Sequence, residues 1–273
     1  MSFNAKDYEG YANYIVSEIE PGFAHVQLNN PKTLNAFDDQ YWRDYSEILL
    51  KLDATPEINI ILISSNVAKA FTSGLNLKNA VGLMMQATSL DDVQRYKQLY
   101  DHIGEFQYCI GTPARIRTPT IGLLNGINYG LALDMSATYT IRIATACAKF
   151  SIREIKIGIP ADIGSLQRLP SVVNNISLLN QYALTGEDFY AEDALKLGFV
   201  SKIVPDLQTG LEYCKELGSN INSNQQWAIK GTKDAIQKRL NGESVSQGLK
   251  DIQHYNAQNI DKRFIQAMGG VKL

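Results

Sequence analysis

One run constrains the fold more than any other: "INIILISS", residues 58 to 65. It is rich in β-branched residues and has no polar face. As a strand it must be covered on both sides. "TPTIGLL" (118 to 124) has the same character, and "TIRIA" (140 to 144) is a shorter third candidate. Helical spacing separates them: "FDDQYWRDYSEILLKLD" (37 to 53), with acids in its first turn, about 92 to 112, and 130 to 138. Upstream, "YIVSEIEPGFAHVQLNN" (14 to 30) reads as two strands around a Pro-Gly turn. Buried strands alternating with helices predict right-handed βαβ units. After about residue 172 the strand signals nearly stop. Five segments from "NNISLLNQYAL" to "VSQGLKDIQHYNAQNID" read as helices. The expected organisation is an α/β core over 1–200 and a helical C-terminal region over 201–273.

The chain has 273 residues, 45% of them hydrophobic, enough for one large domain or a domain with an appendage. Its formal net charge of −2 gives no global attraction to nucleic acid or an anionic membrane. Cys109, Cys147 and Cys214 fit no zinc spacing and make an odd, sparse set, which predicts a reducing compartment. His25, His102 and His254 lie far apart, against a His-centred triad or a metal site. No run of about 18 apolar residues predicts a membrane span, and the N-terminus has no signal-peptide pattern. The last three residues, Val271-Lys272-Leu273, approach the Ser-Lys-Leu peroxisomal address, with Val in place of Ser.

Two backbone elements have the form of anion cradles. In "KAFTSGLNLK" (69 to 78), Ser73 and Gly74 allow a sharp turn whose N–H groups can share an acceptor. The plainer reading is an ordinary strand-to-helix loop. In "LLNGINYGLALDMSA" (123 to 137), a helix starting near Leu131 offers free N–H groups. One donor from each element would make an oxyanion hole. Asp134 falls in the first turn of that helix, where an acid also serves simply to complement the dipole. Glu154 and Asp162 lie in "FSIREIKIGIPADIGSLQRLP" (150 to 170), which otherwise reads as core. A buried unpaired carboxylate is costly, so these acids either face water or belong to a site.

Together, "LNNPKTLNAF", "KAFTSGLNLK", "TPTIGLLNGINYGLALDMSATYTIRIATACAKFSI", "GIPADIGSLQRLP" and "LTGEDFYAEDALKLGFVSKIVPD" resemble the crotonase (enoyl-CoA hydratase/isomerase) superfamily. The resemblance runs through about residues 14 to 260. It implies a crotonase-like core of stacked ββα turns and a helical C-terminal trimerisation region, as a homotrimer or homohexamer. It implies an acyl-CoA thioester substrate, with coenzyme A as part of that substrate and no separate cofactor. It places the oxyanion donors at the N–H groups of Leu75 and Leu131, the latter where Gly is more usual. Contacts to the CoA part are implied at Lys32, Ala36, Ser73, Gly74, Leu75, Asn76, Leu77 and Ala132. A plain hydratase pattern would carry Glu where this chain has Asp134, and Gly where it has Asp162.

The set Asp134, Glu154, Asp162, followed by "ADIGSLQRLP", looks most like the 3,5–2,4-dienoyl-CoA isomerases. That group commonly has Asp where this chain has Thr140. The implied roles are a base at Glu154, an acid at Asp162 and an orienting or tuning group at Asp134. The rivals are a 3,2-enoyl-CoA isomerase using Asp162 alone and a non-catalytic binding protein of the same fold. A role in unsaturated fatty acid β-oxidation makes a peroxisome the expected location, through an import receptor reading Val-Lys-Leu, with cytosol or mitochondrion otherwise.

Overall fold

A computed structural model describes residues 3–260. The chain opens with β1 (Tyr14–Glu20) and β2 (Phe23–Leu28), an antiparallel pair turned by Pro21-Gly22. Helix α1 (Asp39–Ala54) follows, capped where the Asp38 carboxylate accepts from the Tyr41 N–H at 2.9 Å. It buries Tyr41, Trp42, Tyr45, Ile48, Leu49 and Leu52 along one face. Then come β3 (Ile60–Ser65), β4 (Ala70–Thr72), α2 (Leu77–Thr88), α3 (Asp92–Ile110) and the single turn α4 (Thr112–Arg115). The next repeat is β5 (Thr120–Leu124), β6 (Ile127–Tyr129) and α5 (Leu131–Ser136). The third is β7 (Ile141–Thr145), β8 (Lys149–Ser151), a 3₁₀ turn (Glu154–Ile157), α6 (Ser165–Val172) and α7 (Ile176–Thr185). The chain continues with β9 (Phe189–Tyr190), α8 (Ala191–Lys196), β10 (Lys202–Val204), α9 (Leu207–Asn222), α10 (Gln226–Leu240) and α11 (Val245–Asn259).

Two sheets result. The larger has the order β1-β2-β3-β5-β7-β10, parallel from β2 onward; the smaller has the order β4-β6-β8-β9. Each repeat gives one strand to each sheet: β3 then β4, β5 then β6, β7 then β8. These are the stacked ββα turns. Alternation along β3 explains its unbroken apolar run. Ile60 and Leu62 join Phe23, Ile121, Leu123 and Ile143 in a core that includes Cys214 of α9. Ile61 and Ile63 face the other way, into the main core with α1.

The smaller sheet was not expected from the sequence. Its strands are two or three residues long, too short to show a period of two. The expectation that strands end near residue 172 is corrected by β9 and by β10, which pairs with β7. The larger sheet therefore extends past residue 200, and α9 packs on it. Thr140 is structural: its backbone N–H and that of Thr120 each donate to the other's hydroxyl, at 3.2 and 3.1 Å.

Candidate active site

The two backbone elements meet. Gly74 ends the turn after β4 with φ +99, and a Cβ there would lie 2.8 Å from the Tyr129 carbonyl oxygen and 3.9 Å from the Leu131 nitrogen. Only a residue without a side chain permits this approach. The Phe37 N–H donates to the Gly74 carbonyl at 2.9 Å and the Asn76 N–H to the Phe37 carbonyl at 2.8 Å, which fixes Leu75 between them. Among the described residues, the N–H groups of Leu75 and Leu131 have no acceptor. The Leu131 side chain finds its room in the main core, 3% exposed, and Ala132 beside it is fully buried.

The loop of Lys32 and Ala36 lies against this turn. The Ser73 N–H donates to the Leu34 carbonyl at 2.9 Å and the Ser73 hydroxyl to the Thr33 carbonyl at 3.1 Å. Buried Asn35 anchors the loop, donating to the Ser65 hydroxyl and the Phe71 carbonyl at 2.8 Å each. Asn35 was missed in the sequence, and its left-handed φ of 55 has no signal there beyond the residue type. Lys32 is exposed on the loop. The Asn76 side chain caps α2, and Leu77 begins that helix exposed.

The three acids also converge. Asp134, 1% exposed, accepts from the Ser165 N–H and the Ser165 hydroxyl on one oxygen, both at 2.6 Å. That bond pair ties α5 to the start of α6, three residues after Asp162. Burial raises the Asp134 carboxyl to about 6, against the two Ser165 bonds that favour its ion. Glu154 rises to about 7 through burial and then the charges of Asp134 and Asp162. Its Oε2 is buried without a partner among the described residues. Gly130, at φ +52, makes room for it: a Cβ there would be 2.8 Å from Glu154 Oε1. Burial raises Asp162 too, offset partly by a backbone hydrogen bond and by His102. The Gln107 amide donates to the Asp162 carbonyl at 2.6 Å. Ser165 and Gln107 were not singled out in the sequence, and His102 was named there only to be set aside. Ser165, at a Gly-Ser helix start, carried the only local signal.

A groove of about 490 Å³ continues from Asp162, lined also by Gln107, Ile163, Arg168 and Leu240. Two N–H donors without an acceptor among the described residues, with Glu154 against the residue before Leu131 and three acids raised by burial, make an arrangement suited to holding a developing oxyanion and moving a proton. Among the described residues, no helix is long and apolar enough to cross a membrane.

Stacked ββα turns carrying paired backbone donors define an enzyme scaffold of the crotonase type. A family model described as enoyl-CoA hydratase/isomerase matches residues 18–269, and the chain belongs to that family. It is 32% identical over 224 residues to the mitochondrial Delta(3,5)-Delta(2,4)-dienoyl-CoA isomerase of Rattus norvegicus, covering 82% of this chain and 68% of that one. It is 32% identical over 237 residues to the peroxisomal Delta(3,5)-Delta(2,4)-dienoyl-CoA isomerase of Arabidopsis thaliana, covering 85% and 83%. Its fold matches a solved enoyl-CoA hydratase from Bacillus anthracis with a TM-score of 0.82 over 94% of this chain and 96% of that one, at 22% identity.

Proposed function

We propose that the chain isomerises 3,5-dienoyl-CoA to 2,4-dienoyl-CoA. The observation that carries this reading is the convergence of Asp134, Glu154 and Asp162 beside the free Leu75 and Leu131 N–H groups. Named relatives with this activity at 32% identity support it. The thioester oxygen accepts from Leu75 and Leu131. Glu154 removes a proton from C2, and the charge spreads into a dienolate held by the two donors. Asp162 gives a proton to C6, which shifts both double bonds one step toward the thioester. C2 and C6 lie about 5 Å apart in an extended chain, too far for one short carboxylate to serve both. The cycle closes when the proton on Glu154 returns to Asp162, directly or through solvent. Asp134, bound to Ser165, orients the Asp162 loop and raises Glu154 by its charge.

The CoA part would lie along Lys32, Ala36, Ser73, Gly74, Asn76, Leu77 and Ala132, with no cofactor beyond the substrate. The exposed apolar side chains of α10 and α11, Ile236, Leu240, Val245 and Leu249, support a homotrimer or a homohexamer. A place in unsaturated fatty acid β-oxidation follows from the substrate. Peroxisome is the preferred location, mitochondrion the next, since relatives are named for both. The Val271-Lys272-Leu273 address on which import would depend lies outside the described residues.

The test is ultraviolet absorbance of the purified chain with 3,5-dienoyl-CoA. Growth of the conjugated 2,4-dienoyl-thioester band is expected, with Asp162→Asn reducing it by about 10²-fold or more in a folded protein. Near-full activity in that variant sinks the acid assignment. Turnover of 3-enoyl-CoA alone moves the chain to single-acid isomerases.

A further inference from the structure

Tyr129 ends β6 two residues before Leu131, and its carbonyl oxygen is the atom that Gly74 packs against. Its ring lies under two cations, the Arg153 guanidinium 3.8 Å and the Lys149 ammonium 5.3 Å from the ring centroid. Both cations share one carboxylate. Asp188 Oδ1 accepts from Arg153 Nη2 at 2.7 Å, and Oδ2 lies 3.2 Å from Lys149 Nζ. The Tyr129 hydroxyl donates to the same Oδ2 at 3.3 Å. Burial pushes Asp188 up, but the Arg153 and Lys149 contacts outweigh it and hold the carboxyl below its usual range.

Strand register and the turn after it build this cluster. Tyr129 stands opposite Ser151 in β8, and Lys149, two residues before Ser151, shares its face of the strand and reaches Tyr129 diagonally. Arg153 follows the end of β8 as the cap of the 3₁₀ turn that begins at Glu154. The Gly130 N–H also donates to the Ser151 carbonyl at 2.9 Å. One segment thus carries the donor Leu131, and the other carries Arg153 and then Glu154. The cluster fastens the two segments together.

We propose that Asp188 is a positioning residue that, through Arg153 and Tyr129, fixes the spacing between the Leu131 N–H and the Glu154 carboxylate. This rests on the reading that these two groups act on an acyl-CoA thioester. The experiment compares the full-length chain with Asp188→Asn and Asp188→Glu. It measures kcat and KM on 3,5-dienoyl-CoA, the pH profile, the melting temperature, and the ultraviolet enolate band of bound acetoacetyl-CoA. The last reports the oxyanion hole without turnover. Asp188→Asn is expected to lower kcat by about tenfold with KM held within about twofold. The pH limbs should stay in place, the enolate band should weaken, and Asp188→Glu should recover part of both. Wild-type kcat and wild-type enolate band in Asp188→Asn overturn the proposal. So does a loss that tracks the melting temperature and is no smaller in Asp188→Glu. A wild-type chain silent on 3,5-dienoyl-CoA ends the isomerase reading, while the enolate band still decides the role of Asp188. No enolate band in the wild type overturns both the hole and its positioning.

Discussion

The two sides of the cleft are built from different materials. The Leu75 and Leu131 side is backbone, set by a glycine at φ +99 and a helix start, and has nothing to titrate. The Asp134, Glu154 and Asp162 side is carboxyl groups, each raised by burial, with Glu154 raised further by the other two. Damage to the first should change geometry and leave the pH dependence alone. Damage to the second should move protons and leave the hole intact. The contrast teaches that such a site separates charge stabilisation from proton transfer, and the two can be broken independently.

The strongest break is Gly74→Ala. Its Cβ would meet the Tyr129 carbonyl at 2.8 Å, and the backbone angle disfavours any side chain. A displaced donor should cost about 10²- to 10³-fold in kcat, with both limbs of the pH profile unmoved. A comparable loss accompanied by a shifted limb would show that the two sides are not separable.

Ser165→Ala tests the acid side more gently. In the proposed roles the base Glu154, raised to about 7, must be ionised, and the acid Asp162, raised by burial, must be protonated, so activity needs one of each and falls towards both pH extremes. Loss of the Ser165 hydroxyl removes one bond that favours the Asp134 ion, so Asp134 rises further from about 6. A more often neutral Asp134 repels the Glu154 ion less. The limb that Glu154 sets should therefore move to lower pH, with kcat down by about three- to tenfold as the Asp162 loop loosens. A limb that moves upward would reverse the assigned coupling. The smallest effect belongs to Lys32→Ala. On the proposed CoA path, loss of this exposed loop ammonium should raise KM by about two- to threefold and leave kcat unchanged. Steady-state kinetics with full-length and truncated thioesters would check it.

Much of the larger sheet was legible. β3 and β5 announced themselves by continuous apolar runs, and the β1–β2 turn by Pro21-Gly22. Helix α1 was marked by its acids and its apolar spacing. The candidate site was legible as residue types. Acids at 154 and 162 stand out in a stretch that reads as core, whereas Asp134 also fits a helix dipole and the Ser73-Gly74 turn also fits an ordinary loop. The struts were not legible. Asn35 holds the Lys32 loop through partners 30 and 36 residues away, and Ser165 meets Asp134 across 31. No local pattern encodes such pairs.

By itself the sequence determined the order of the longer strands and helices and the chemistry the chain could offer. Propensity and periodicity act over a few neighbouring residues and survive being read in isolation. Only the tertiary structure decided the smaller sheet, because strands of two or three residues are defined by their partners' hydrogen bonds and not by their own pattern. It also decided that the turn at Gly74 meets the helix at Leu131, and that buried Asp134 comes within reach of the half-buried Glu154 and Asp162, distant in sequence. There desolvation raises all three, Asp134 and Asp162 raise Glu154 further, and Ser165 and His102 act the other way on Asp134 and Asp162, none of which a residue carries alone.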